Sequence, residues 1–267
     1  MSEYQLLTSH VVELSKHIGH FLLQEIKTLK QSDVEEKGVH NLVTRVDKAA
    51  EKQIIENLSK LLPESGFLAE EGTSTKIGEE YNWIVDPLDG TTNFIHGVPL
   101  YSVSIALKRN DELVLGVIYE PNLDECFYTW KGAPSYLNEK EIHVSTILKV
   151  DHSLFATGFP YHDYDRLDSF LEFFVYMMKN SRGVRRLGSA AVDLAYVACG
   201  RYEGFYEYGL NPWDVAAGIL LVQNAGGKVY DFAGGENYLF GEDIVAVNNT
   251  ISEEFLTQIK AQFNINK

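Results

Sequence analysis

Residues 83–92 of the chain are Trp83-Ile84-Val85-Asp86-Pro87-Leu88-Asp89-Gly90-Thr91-Thr92. The apolar start predicts a buried strand, and Pro87 fixes a backbone torsion that lets Asp89 turn back beside Asp86. Two carboxylates then face one small volume, where oxygen ligands suit a hard cation such as Mg²⁺. If Thr91 and Thr92 open a helix, its free N–H groups add an anion site beside the cation. The alternative is an Asp-Pro turn closed by Asp-Gly, which needs no metal.

Two further acidic segments lie at predicted ends of secondary structure. Glu70-Glu71 follows a short apolar run, and Trp213-Asp214 precedes a helical pattern. Enzymes of the α/β class build their sites at such positions. Each segment also has a simpler explanation, since Glu70-Glu71 could be a solvated charge pair and Asp214 a helix N-cap. The coincidence of three acidic segments favours a metal site.

The composition argues against several classes of function. Of the 267 residues 45% are hydrophobic, and the formal net charge is −15. Such a chain can bury a large core. Nucleic-acid binding relies on Lys and Arg side chains that neutralise phosphates, so the acidic balance argues against a nucleic-acid partner. Bound divalent cations would still let the protein accept a small anionic substrate.

Cysteine usage and the N-terminus predict a cytoplasmic protein that has no part in a membrane. Cys126 and Cys199 are far apart in the sequence, which suggests neither a disulfide framework nor a zinc site. The start, Met1-Ser2-Glu3-Tyr4, has no targeting pattern. No apolar run approaches the roughly 20 residues that a membrane helix needs.

The periodicity of apolar residues predicts two amphipathic helices, Gln5–Leu29 and Arg45–Leu62, joined by a polar loop and placed before any sheet. A largely antiparallel sheet should follow. Its strands are predicted at Gly66–Glu70, Trp83–Asp86, Ser102–Lys108, Leu113–Tyr119 and Glu125–Tyr128.

The second half of the chain alternates between helix and strand, which is typical of an α/β arrangement. We therefore predict two subdomains, an α+β unit at 1–150 and an α/β unit at 151–267, that share one continuous interface. The helices are predicted at Leu167–Lys179, Ala190–Ala198, Val215–Asn224 and Glu253–Phe263, and the strands at Leu154–Thr157 and Gly204–Glu207.

Together the motifs resemble those of the inositol monophosphatase family. The resemblance extends from Asn41 to Gly227, and it is carried by four segments: Asn41–Asp47, Ala69–Gly72, Trp83–Phe94 and Trp213–Gly218, the last leading to Gly226-Gly227. It implies the fold of that family, an α+β / α/β layered sandwich of alternating α and β layers, together with Mg²⁺ dependence, lithium sensitivity and a homodimer.

The resemblance also implies a ligand set. One Mg²⁺ would bind Glu70, Asp86 and the Leu88 carbonyl, a second would bind Asp86, Asp89 and Asp214, and a weaker third would touch Glu70. The same resemblance makes Asp47 and Thr91 a hydrogen-bonded pair that orients or deprotonates the attacking water, so the catalytic residues would be Asp47, Glu70 and Thr91. A carboxylate beside water that a metal has acidified can accept its proton, and paired metals stabilise the attacking and leaving oxygens.

The substrate would lie against residues that the resemblance also identifies: Asp89, Gly90, Thr91, Arg185, Gly188, Ser189, Ala190 and Glu207. Two of these have alternatives, because Glu207 could be the solvent-facing residue of a strand and Arg185-Arg186 a solvated surface pair. Asp193 is interpreted as structural, paired with a basic neighbour such as Arg185. The run from Tyr161 to Asp165 could border the site or form a surface loop.

The predicted function is Mg²⁺-dependent hydrolysis of inositol monophosphate, or another small phosphate monoester, by direct attack of water. Fructose-1,6-bisphosphatase, or a broader sugar-phosphate phosphatase, is the alternative. Nucleotide-directed relatives usually carry Lys-Glu after Asp-Gly-Thr, whereas this chain has Thr92-Asn93, which disfavours a nucleotide substrate. The alternative from a different class is a regulatory relative that binds metal or a partner protein. The sequence leaves the identity of the released alcohol open.

Overall fold

The computed structural model describes residues 2–38, 41–160 and 164–263. Tyr161, His162 and Asp163, which could border the site or form a surface loop, lie outside the described residues. The helices are α1 Glu3–Glu25, α2 Arg45–Leu61, α3 Thr91–Ile95, α4 Leu167–Asn180, α5 Ala190–Ala198, α6 Pro212–Asn224 and α7 Ser252–Gln262. The strands of the first half are β1 Val34–Gly38, β2 Asn41–Thr44, β3 Gly66–Ala69, β4 Tyr81–Asp89, β5 Ser102–Arg109, β6 Glu112–Glu120, β7 Glu125–Trp130, β8 Ser135–Leu137 and β9 Lys140–Ile142. Those of the second half are β10 Leu154–Thr157, β11 Gly183–Arg185, β12 Gly204–Tyr208, β13 Lys228–Tyr230 and β14 Asp243–Val247.

The prediction of a polar loop between the first two helices is wrong. An antiparallel pair, β1 and β2, occupies this region, with Val34 opposite Thr44. Strand β1 has the sequence Val-Glu-Glu-Lys-Gly, which lacks the alternation of apolar residues that reveals a half-buried strand. Sheet structure therefore precedes α2.

A seven-stranded sheet follows in the order β3-β4-β5-β6-β7-β8-β9. Only β3 and β4 are parallel in it, which confirms the prediction of a largely antiparallel sheet. Both of its faces are buried, because Trp83 and Val85 pack in the core beneath α1 and α2, whereas Ile84 packs in a second core on the opposite face. A strand covered on both faces needs an uninterrupted apolar run, and β4 supplies one.

The second sheet is mixed, with the strand order β11-β10-β12-β14-β13. Helices α5 and α6 lie between the two sheets and contact strands of both. All nine residues of α5 are buried, as expected for a helix in a central layer. On the outer face of the second sheet, α4 and α7 bury Phe170, Phe173 and Phe255.

The layers thus alternate as helices, sheet, helices, sheet and helices, which confirms the predicted layered sandwich. The division at residue 150 stays a prediction. Within the described residues, none of the helices has the length and apolar character required to span a lipid bilayer.

Candidate active site

The site is built around an irregularity at the end of β4. The pairing of β4 with β5 shifts register between Asp86 and Asp89, where Pro87 has no N–H to donate. The backbone N–H of Leu88 donates to Asp86 Oδ1 at 2.9 Å, which fixes the first carboxylate inside the turn. Gly90 follows at φ 100°, a conformation that favours glycine, and α3 then begins at Thr91 as predicted.

Three carboxylates converge at this point. Asp86, Asp89 and Asp214 each offer an oxygen, and these oxygens lie within 4.8 Å of one another. Burial raises the pKa of Asp86 well above its usual value, and repulsion from Glu70, Asp89 and Asp214 raises it further. Burial also raises the pKa of Asp89 to about 6, although hydrogen bonds from Ser189 and Ala191 favour its charged form. The end of β4 and the first turn of α6 therefore hold three acids that repel one another when ionised.

This donor set fits Mg²⁺. Every group in the cluster is a carboxylate, the hard oxygen ligand that Mg²⁺ prefers. The adjoining cavity, of about 150 Å³, is also lined by Glu70, Asp193 and Glu207. Arg186 is the only Lys or Arg side chain among the described residues that line it. A phosphate ester would meet strong repulsion here unless cations neutralised the acids.

Asp47 and Thr91 form the predicted pair. The Thr91 hydroxyl lies 3.0 Å from Asp47 Oδ1 and 3.0 Å from the Leu88 carbonyl oxygen, so its single proton can go to either acceptor. Asp47 Oδ2 accepts from the backbone N–H of Thr44 at 2.9 Å and from its hydroxyl at 2.5 Å. Burial raises the pKa of Asp47, even though the bonds from Thr44 and Thr91 oppose the shift.

Asp47 and Asp214 each serve a helix and the site at the same time. Asp47 is the third residue of α2 and caps the helix through Thr44. Asp214 is the third residue of α6, and its Oδ2 accepts from the backbone N–H of Asn211 at 2.6 Å. The N-cap interpretation of Asp214 is therefore wrong in detail, since Asn211 occupies that position and Asp214 reaches back to it. One oxygen of each carboxylate caps a helix, which leaves the other for the site.

Ser189 connects the substrate side to the acidic cluster. Its hydroxyl donates to Asp89 Oδ2 at 2.6 Å, and the N–H of Ala191 donates to the same oxygen at 2.8 Å. The side-chain amide of Asn93 donates to the carbonyls of Leu100 and Leu187, both at 2.8 Å. The segment after β4 and the segment before α5 are thus held together.

Most of the predicted site residues lie at this cavity. Those that line it are Glu70, Asp89, Gly90, Thr91, Gly188, Ser189, Ala190, Glu207 and Asp214. Asp86 belongs to the carboxylate cluster, and Asp47 contacts the lining residue Thr91. Arg185 is exposed and does not line the cavity, whereas its neighbour Arg186 does. Neither the solvated charge pair at Glu70-Glu71 nor the surface pair at Arg185-Arg186 describes the structure, because Glu70, Glu71 and Arg186 are half-buried.

Two acids on the substrate side are more deeply buried than expected. Glu207 is only 6% exposed, so the alternative of a solvent-facing strand residue is wrong. Burial raises its pKa to about 8, and the nearby positive charge of Arg186 opposes the shift. Asp193, interpreted as structural, lines the cavity, and its Oδ1 has no hydrogen-bond partner among the described residues. The positive charge that favours the ionised form of Asp193 is that of Arg186, and not that of Arg185 as predicted.

Glu51 is a residue that the sequence reasoning missed. Its buried carboxylate accepts from the backbone N–H groups of Glu71 and Thr73, both at 2.7 Å. These bonds fix the loop that directly follows Glu70. The available signal was spacing, since residues four apart on a helix share a face and Glu51 therefore lies beside Asp47.

Comparisons with known proteins identify similar chains. The sequence profile of the inositol monophosphatase family matches residues 3–264. The inositol-1-monophosphatase of Mesorhizobium japonicum is 41% identical over 255 residues, covering 95% of this chain and 96% of that protein. The Nus factor SuhB of Pseudomonas aeruginosa is 41% identical over 261 residues, covering 96% of each chain.

Solved structures give the same result. The extragenic suppressor protein suhB of Bartonella henselae superposes with a TM-score of 0.90 at 39% identity, covering 96% of this chain and 98% of that one. The Thermotoga maritima IMPase superposes with a TM-score of 0.87 at 34% identity, covering 96% of this chain and 97% of that one.

Proposed function

Because the chain belongs to the inositol monophosphatase family, we propose that it hydrolyses inositol monophosphate to inositol and phosphate with Mg²⁺ as cofactor. The family assignment itself supports phosphatase activity, and the substrate and the metal are the parts that we propose. The main support is the convergence of Asp86, Asp89 and Asp214 beside a small cavity. Buried acids whose charges repel one another are what a cation site requires.

The proposed ligands are Glu70, Asp86, the Leu88 carbonyl, Asp89 and Asp214, which would together hold two or three Mg²⁺ ions. When bound, the cations lower the pKa of water and neutralise charge that develops on the phosphate. Asp86 would bridge two of them. Glu51 contributes indirectly, because it fixes the backbone that carries Glu70.

Asp47 and Thr91 would handle the proton of the attacking water. If the Leu88 carbonyl is engaged by a cation, the Thr91 hydroxyl donates to Asp47 Oδ1 and keeps its lone pairs free for a water proton. Asp47 can then take up that proton through Thr91, since Thr44 saturates only its other oxygen. Glu70, which lines the same cavity, would complete the catalytic set.

The phosphate would lie beside Asp89, Gly90 and Thr91, and the alcohol beside Gly188, Ser189, Ala190 and Glu207, all of which line the cavity. Glu207 would accept hydrogen bonds from substrate hydroxyls. We assign the positive charge on this side to Arg186 instead of Arg185, because Arg186 lines the cavity and acts on Asp89, Asp193 and Glu207.

A phosphate-release panel tests the proposal. The substrates are inositol 1-phosphate, fructose 1,6-bisphosphate, adenosine 3′,5′-bisphosphate and NADP, each assayed with Mg²⁺, with EDTA and with added Li⁺. We expect the highest kcat/KM with inositol 1-phosphate, no release in EDTA and inhibition by Li⁺. Preference for fructose 1,6-bisphosphate would support the sugar-phosphate alternative. Absence of release from every ester with Mg²⁺ would refute the enzyme assignment.

A regulatory role is the alternative from a different class. Its support is that relatives such as the Pseudomonas aeruginosa protein carry the name Nus factor SuhB. All the proposed ligand positions, together with Asp47 and Thr91, carry the residues that catalysis needs, which favours an enzyme. The two roles are separable, because a protein that only binds a partner would release no phosphate in the panel.

We also propose a homodimer, and helix α4 supplies the support. Leu171, Val175 and Met178 are 47%, 44% and 60% exposed, and their spacing places them on one face of an outer helix. Exposed apolar stripes of this kind mark interaction surfaces.

Light scattering after size exclusion should give twice the chain mass of 30.1 kDa. Met178→Glu should give the monomer, whereas Leu123→Glu, at an exposed position outside α4, should not; a monomeric wild type at micromolar concentration would contradict the dimer.

A further inference from the structure

Gly158 lies directly beside Glu207 at the ends of two neighbouring strands. Strands β10 and β12 are parallel, with Thr157 opposite Tyr206, so the next pair along the register is Gly158 and Glu207. Opposed residues of parallel strands project to the same face of a sheet. A side chain at position 158 would therefore point into the space that the side chain of Glu207 occupies.

The geometry of this space is specific. A Cβ atom built on Gly158 would overlap all three carboxyl atoms of Glu207, namely Cδ, Oε1 and Oε2, and these are its three nearest neighbours. The backbone does not require glycine here, because the φ angle of Gly158 is not positive. What position 158 needs is the absence of a side chain. Gly158 also lines the cavity, so the contact with Glu207 lies in the cavity wall.

The residue after Gly158, Phe159, contacts Arg186, the other charged group on this wall of the cavity. The guanidinium of Arg186 lies 5.4 Å from the centre of the Phe159 ring, within the range of a cation–π contact. Gly158 and Phe159 are therefore consecutive residues that fix, respectively, the carboxylate of Glu207 and the guanidinium of Arg186. The loop after β10 thus sets the positions of both charged groups on the substrate side.

We propose that Gly158 is a specificity-determining residue, because its missing side chain provides the space in which the Glu207 carboxylate stands to receive hydroxyl groups of a polyol substrate. This inference rests on the proposed function. Gly158 acts through Glu207 and is a positioning residue. Any side chain at 158 would push the carboxylate away and select against polyol phosphates.

The substitution Gly158→Ala tests the proposal. The overlapping atoms are the end of a flexible side chain, so we expect the variant to fold with the carboxylate displaced and the backbone retained. Hydrogen bonds to a charged group are each equivalent to roughly a tenfold to hundredfold change in binding. The ratio of kcat/KM for inositol 1-phosphate to that for phenyl phosphate, which has no hydroxyl on its alcohol part, should fall by about tenfold or more. Most of the change should be in KM.

A double variant separates this role from a structural one. In the Glu207→Ala background the overlap no longer exists, so Gly158→Ala should leave the ratio within about twofold of Glu207→Ala alone, as expected for residues that act as one unit. Equal losses from Gly158→Ala in both backgrounds would overturn the proposal. So would a double variant that fails to fold, since the backbone would then be what requires glycine.

A crystal structure of Gly158→Ala gives a readout that does not depend on catalysis. The Glu207 carboxylate should be displaced from its wild-type position, and an unmoved carboxylate would overturn the inference. If the wild-type protein releases no phosphate from inositol 1-phosphate, the proposed function fails. The crystal structure still decides whether Gly158 positions Glu207.

Discussion

Replacing Asp86 by asparagine should lower kcat/KM for inositol 1-phosphate by at least about 10³-fold, because every cation that this carboxylate would hold loses a negatively charged ligand. Asp86 is almost fully buried, and repulsion from Glu70, Asp89 and Asp214 acts on it. The change from carboxylate to amide is isosteric, so the loss should come from the metal site and leave the fold intact. Phosphate release measured across a Mg²⁺ titration checks this result.

Thermal unfolding distinguishes this loss from misfolding. In EDTA, Asp86→Asn should unfold at the same temperature as the wild type or at a higher one, because one of several repelling buried charges is gone. Mg²⁺ should stabilise the wild type but not the variant. Asp111→Asn is the matched control, since the Asp111 side chain is fully exposed in a turn and should leave activity unchanged. Near-normal turnover by Asp86→Asn would refute the bridging role.

The second large effect concerns the proton of the attacking water. Asp47→Asn should lower kcat by about 10²- to 10⁴-fold, the range typical for loss of a positioned general base. Mg²⁺ affinity, measured by calorimetry, should change little, because Asp47 lies outside the carboxylate cluster and contacts Thr44 and Thr91 instead. Asparagine can still cap α2 with its carbonyl oxygen, so the unfolding temperature should fall by only a few degrees.

The pH profile supplies a second readout. Burial raises the folded-state pKa of Asp47, so activity that needs its carboxylate should fall as the pH drops through that raised value. Asp47→Asn should lack this acidic limb. Thr91→Ala should cause a loss similar to that of Asp47→Asn, and the double variant should be little worse than either single one. A double variant whose losses multiply would show that the two residues act separately.

The sequence predicted best what is local in the chain. Asp86 and Asp89 share one turn, so a strand pattern, a proline and a glycine were enough to place both carboxylates. Helix α5 was predicted at its observed bounds because its apolar run is bracketed by Gly188-Ser189 and Gly200. Asp214 was a candidate from its position before a helical pattern, but only the family resemblance assigned it to the same cation as Asp86 and Asp89.

What the sequence missed depends on contacts between distant segments. The spacing from Asp47 places Glu51 on the same helix face, but it does not identify the loop at Glu71 as the partner of its carboxylate. Nothing near Gly158 indicates a contact with Glu207. The choice between Arg185 and Arg186 has a similar cause, since successive side chains of an extended chain point to opposite sides. At the end of β11, Arg185 therefore faces solvent and Arg186 faces the cavity.

The position of α6 between the two sheets also bears on how the chain folds during synthesis. Ile84, Ala106 and Ile118 of the first sheet share one core with residues of α5 and α6, which are translated much later. Until those helices emerge from the ribosome, one face of the first sheet has no cover, and such a surface favours aggregation. We therefore expect the nascent chain to need a chaperone or rapid completion. Metal binding would then report that the chain has folded at least as far as α6, because Asp214 lies on the same helix that covers this face.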